Sequence, residues 1–136
     1  MPTALYLDTS AVLRAVLEEG TTPTIEGKIG AASTLITSRL SLVEAGRAFL
    51  RLRSSGQVSE EQLADAGRDL DALWARCEIW ELTPLVCEMA CQVAPTRRLR
   101  TLDSLHLATY LLARRRIENL ELLTADHRLS DAARGV

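Results

Sequence analysis

Residues 4–17, Ala4-Leu5-Tyr6-Leu7-Asp8-Thr9-Ser10-Ala11-Val12-Leu13-Arg14-Ala15-Val16-Leu17, change their hydrophobic period at an acid. The apolar run before Asp8 is too short for a helix and suits a buried strand. After it, Val12, Leu13, Val16 and Leu17 recur at helical spacing, and Gly20 stands where a C-terminal cap belongs.

The same alternation repeats downstream. Residues 22–33 allow a short helix, Leu35-Ile36-Thr37 reads as a second strand, and Leu40 to Leu52 is apolar enough to be a largely buried helix. Ser59-Glu60-Glu61-Gln62 is a capping box, followed at helical spacing by Leu63, Ala66, Leu70, Leu73 and Trp74. A third strand is expected over Ile79 to Leu82. Thr83-Pro84 then offers an N-cap with proline at the first position of a helix running to about Ala94. A helix from Leu102 to about Arg116, a fourth strand at Glu121-Leu122-Leu123-Thr124 and a short C-terminal helix complete the pattern. Strands separated by helices imply right-handed crossovers and a parallel sheet covered on both faces. Ligands bind such sheets beyond the carboxyl ends of the strands, the edge where Asp8 and Asp126 fall.

At 136 residues and 47% hydrophobic content, one domain over residues 1–136 is expected. A net charge of −2 excludes a uniformly basic nucleic-acid coat, so any such contact must be local. No run approaches the roughly 18 apolar residues of a membrane span, and no basic leader precedes the first apolar stretch. A cytoplasmic protein without membrane contact is the expectation. Cys87 and Cys91 share a helix face, and Met89, Ala90 and Val93 around them suggest core packing rather than a metal site.

Four acids draw attention. Asp8 could cap the following helix, Asp103 could serve a helix dipole, and Asp126 could be a turn residue or N-cap. Glu44 lies on a helix that is apolar around most of its circumference, within roughly 60° of Arg47 and Arg51. That stripe is either a Glu–Arg pair on an exposed face or a polar face turned to a cleft. Together the acids come from two strand ends and two early helical turns, which an α/β fold can bring to one rim. Oxygen ligands of this kind suit Mg²⁺ or Mn²⁺ and phosphodiester chemistry.

Asp8-Thr9-Ser10, Glu44 after the second strand, Leu102-Asp103-Ser104-Leu105-His106-Leu107-Ala108 and Thr124-Ala125-Asp126 together resemble the PIN-domain nucleases. The resemblance is to the VapC-type toxins of bacterial toxin–antitoxin pairs and covers nearly the whole chain. It implies a three-layer α/β/α sandwich with a central parallel sheet of four or five strands. It also implies a homodimer that cuts RNA with Mg²⁺ or Mn²⁺ and is restrained by a small antitoxin. Carried over residue by residue, it makes Asp8, Glu44, Asp103 and Asp126 metal ligands, with the Ser10 or Thr124 hydroxyl in support.

Arg97, Arg98 and Arg100 precede Asp103 and, with Arg47 and Arg51, are candidate phosphate contacts. Arg114, Arg115 and Arg116 read first as favourable charge at a helix C-terminus. Five aromatics leave little for base stacking, so binding should be led by the RNA backbone. A metal-independent ribonuclease would have to work with His106 and His127 alone, and His106 reads first as a packed or supporting residue. A binding module without catalysis, and an RNA-processing nuclease without an antitoxin, are the competing readings. No Walker loop, GxGxxG fingerprint or GxSxG elbow supports any other enzyme class.

Overall fold

A computed structural model describes residues 3–18, 20 and 22–136. Its strands are β1 (Ala4–Leu7), β2 (Thr34–Ser38), β3 (Cys77–Trp80) and β4 (Leu120–Leu123). All neighbours are parallel, in the order β3-β2-β1-β4. The helices are α1 (Thr9–Leu17), α2 (Pro23–Ala31), α3 (Arg39–Ser55), α4 (Glu60–Arg76), α5 (Pro84–Ala90), α6 (Thr101–Arg114) and α7 (His127–Arg134).

The two-residue period of β1 builds the three layers. Leu5 and Leu7 face one side, packing with Val12, Ile25, Leu35 and Leu73 beneath α1, α2 and α4. Ala4 and Tyr6 face the other, against Ile36, Leu107, Tyr110 and Leu129 beneath α6 and α7. Because β1 lies between two strands and two helical layers, it is buried throughout, as its unbroken apolar run requires. Among the described residues no helix is long and apolar enough to cross a membrane.

Several boundaries differ from the sequence expectation. β3 is displaced toward the N-terminus because it follows the Arg76 end of α4 directly and pairs Cys77 with Leu35 and Trp80 with Ser38. Glu81 and Leu82 fall beyond the ladder. There the Glu81 carboxylate accepts from Arg39 Nε at 3.0 Å and Nη2 at 2.7 Å. β4 begins one residue early, which frees Thr124 for the site. α5 stops at Ala90 rather than Ala94, with Cys91 as its C-cap, and Ala94, just before Pro95, takes φ 46°. α1 is capped at Glu18, and Gly20 supplies a positive φ of 84° two residues later.

Two burial expectations are corrected. Cys87 and Cys91 are exposed, because Val86, Ala90 and Val93 form the inward stripe of their segment and the cysteines lie one step round it. α3 is not largely buried: Leu40, Ser41, Ala45 and Ala48 are, whereas Val43 is 58% and Leu50 48% exposed.

Candidate active site

The carboxyl edge of the sheet opens into a cavity of about 380 Å³ lined by Asp8, Glu44, Asp103 and Asp126, together with Ser10, Arg100 and His106. Each acid arrives by a different local device. Asp8 follows β1 and caps α1, its Oδ1 accepting from the Ala11 amide at 3.1 Å. Asp126 follows β4 and caps α7 by accepting from the Arg128 amide at 2.8 Å. Asp103 lies in the first turn of α6, and Glu44 in the second turn of α3. The capping roles weighed for Asp8 and Asp126 therefore hold, and the same caps fix both carboxyls at the cavity wall.

Ser10 and Thr124 clamp Asp8 from both sides. The Ser10 hydroxyl donates to Oδ1 and the Thr124 hydroxyl to Oδ2, each at 2.7 Å. Ser10 Oγ also accepts from the Ala125 amide at 2.9 Å, and Thr124 Oγ1 from the Asp126 amide at 3.0 Å, so both hydroxyls tie β1 to the segment after β4. Both residues thus touch Asp8 directly. Asp8 is nonetheless raised above the usual carboxylate range: burial outweighs these hydrogen bonds and the influence of His106.

Glu44 is held differently. Its Oε1 accepts from Thr9 Oγ1 at 2.6 Å and pairs with His106 Nε2 at 2.8 Å. His106 is buried and its Nδ1 lies 2.9 Å from the Tyr6 hydroxyl. Because a carboxylate only accepts, Nε2 carries a proton; in the neutral ring Nδ1 then accepts from Tyr6. Burial pushes Glu44 up, but the bonds from His106 and Thr9 prevail and hold it below its ordinary value. The polar-face reading of Glu44 prevails over the Glu–Arg pair, since Arg47 and Arg51 point into solvent.

Asp103 carries the strongest sign of crowding. Burial raises it, the Asp126 charge raises it further, Arg100 and His106 oppose, and Asp8 adds to the rise. Arg100 Nε is 3.9 Å from Asp103 Oδ2 and its side chain is mostly exposed. Of the five candidate arginines, Arg100 alone lines the cavity; Arg47, Arg51, Arg97 and Arg98 are exposed outside it. Arg114 and Arg116 lie over the rings of Tyr110 and Trp80, at 5.3 and 6.0 Å.

Among the described residues, no three His, Cys, Asp or Glu side chains stand close enough to grip one ion directly. The donor set still fits a hard cation that keeps several waters, since it offers carboxylate oxygens and neighbouring negative charge that raises Asp103. Sequence reasoning missed Tyr6 and Thr9. The signal was there for Tyr6, a phenol in a wholly buried strand, which needs a hydrogen-bond partner.

The chain resembles known proteins along this whole framework. Residues 5–135 match the family model described as PIN domain. Ribonuclease VapC45 of Mycobacterium tuberculosis (strain CDC 1551 / Oshkosh) is 30% identical over 107 residues, 79% of this chain and 74% of that protein. The crystal structure of PAE2754 from Pyrobaculum aerophilum superposes with a TM-score of 0.68 at 24% identity, covering 98% of this chain and 82% of that one. A toxin–antitoxin complex from Klebsiella pneumoniae gives 0.61 at 19% identity, over 91% of this chain and 87% of its counterpart. With the family model spanning nearly every residue and a curated relative at this identity, the chain belongs to the PIN-domain family and is of its VapC type.

Proposed function

We propose that this chain is an endoribonuclease dependent on Mg²⁺ or Mn²⁺, and the toxin of a pair whose partner is a small antitoxin. The observation that carries the reading is the convergence of Asp8, Glu44, Asp103 and Asp126 on one cavity at the carboxyl edge of the sheet. The ribonuclease name of the Mycobacterium relative and the toxin–antitoxin neighbour support the substrate and the partner.

Asp8, Asp103, Asp126 and the free side of Glu44 would hold a hydrated cation, in part through its waters. A divalent ion supplies Lewis acidity there, making water easier to deprotonate and offsetting charge on phosphate oxygens. The chain's own residues do the rest. Ser10 and Thr124 fix the orientation of the Asp8 carboxyl, and His106 with Thr9 fixes that of Glu44. Arg100 stands at the mouth, where a guanidinium can meet a phosphate oxygen. Val43 and Leu50, both exposed on one face of α3, would give apolar surface for pairing with a second copy.

The test is RNA cleavage by the purified chain with Mn²⁺. Activity should vanish in EDTA and fall by orders of magnitude in Asp8→Asn, and expression alone should arrest bacterial growth until the neighbouring small gene is supplied. Cleavage that persists in EDTA, or in Asp8→Asn, rejects the metal-site reading. Harmless expression of active protein rejects the toxin role.

A further inference from the structure

A second cavity, of about 600 Å³, adjoins the acidic one and shares Ser10, Leu13, Arg100 and Asp126 with it. It lies on the β4 side of the sheet edge, built from α1, the residue before α6 and the start of α7. Its polarity is inverted. The acidic cavity sets four carboxylates against one guanidinium, whereas this cleft sets Arg14, Arg100 and Arg128 against Glu18 and Asp126, with His127 beside them.

Arg128 is the informative residue. It sits in the first turn of α7, where the helix dipole disfavours a positive charge. Among the described residues its guanidinium has no ion-pair partner. Arg14, across the cleft, bonds Glu18 through Nε at 2.9 Å and Thr22 Oγ1 through Nη1 at 3.4 Å; its side chain is 44% exposed, and the Nη2 donors of its planar fork are left for an anion. Arg128 is exposed, so its guanidinium is free to meet an anion, and the cleft offers space for one.

We propose that this cleft is a phosphate-binding subsite: it holds the backbone of a single RNA strand next to the phosphate under attack, through Arg14, Arg100 and Arg128. The inference deepens the ribonuclease reading and rests on it for the identity of the strand. Four carboxylates repel the phosphates on either side of the metal-held one, and nearby guanidiniums would offset that repulsion. Since Ser10, Leu13, Arg100 and Asp126 line both cavities, a polyanion can occupy both without a break. Recognition here is led by the backbone, because three guanidiniums line the cleft and among the described residues it holds no Phe, Tyr or Trp ring for stacking.

The experiment is binding of a short labelled single-stranded RNA of mixed sequence by the whole chain in EDTA, where no cleavage occurs, across a salt series. Arg128→Gln should weaken binding roughly tenfold and lower the steepness of the salt dependence by about 0.7. Arg14→Gln should act in the same direction, and Arg68→Gln, outside both cavities, should change neither. Melting separates this from damage to the fold, since Arg128→Gln removes an unfavourable charge at a helix start and should melt at or above wild type. Wild-type affinity and salt slope in the Arg14→Gln/Arg128→Gln double variant overturn the proposal, as does failure of the wild-type chain to bind the RNA. Weakened binding by these variants in a protein that cleaves nothing upholds the subsite and rejects the nuclease reading. Metal-dependent cleavage with unchanged binding does the reverse.

Discussion

Asp103 is the residue at which the cost of the site can be read. Its ordinary value is 3.8, and burial together with the Asp126 charge raises it in the native state. Between those two values the folded protein holds more protons than the unfolded chain, so stability falls as pH rises through that window and stays lowered at neutral pH. Asp103→Asn should therefore melt a few degrees above wild type at pH 7 in EDTA, with the gap narrowing in acid. Thermal melts at both pH values check this; a variant no more stable than wild type at neutral pH would show that Asp103 is not crowded. Tyr6 tests the other arm. Tyr6→Phe removes the hydroxyl from buried His106 Nδ1 and should cost about 1–3 kcal/mol in chemical denaturation. Cleavage should fall far less than in Asp8→Asn. Asp8 and Asp126 draw attention in the sequence because each follows an apolar strand, and Glu44 because it interrupts an apolar helix, whereas the contacts of Tyr6 and Thr9 are not visible there. Their partners, His106 and Glu44, lie 100 and 35 residues away, and only the crossovers bring them together.

At the scale of elements, local signals located starts better than ends. The capping box at Ser59 forms as its sequence requires, with Ser59 accepting from the Gln62 amide and Gln62 accepting from the Ser59 amide. Ser59→Ala should lower stability by about 1 kcal/mol without changing RNA cleavage, which parallel denaturation and activity measurements would establish. Thr83-Pro84 likewise opens α5. Ends depend on tertiary pairing instead. β3 stops where β2 stops, so the apolar Leu82 that extended the expected strand belongs to the following loop. Cys87 and Cys91 were misjudged because Met89, Ala90 and Val93 are consistent with burial of either neighbouring face. Contact with α6 decided it, through Val86 packed against Ala108 and Leu112.

Across the whole molecule, the order β3-β2-β1-β4 positions the proposed site. It brings Asp8, after β1, beside the Asp126 segment that follows the outer strand β4, with Glu44 entering from the β2 side. The acidic cavity and the arginine-lined cleft adjoin each other in a chain whose net charge is only −2, so the proposed chemistry would rest on local charge separation. The central claim is that four acids act as one cation site. Its most direct test is calorimetric titration of Mn²⁺ into the wild-type chain, Asp8→Asn and Asp103→Asn, without RNA. Saturable uptake by wild type, weakened at least about tenfold in each variant, is the predicted result. No uptake by the wild-type chain, or equal uptake by all three, would contradict it.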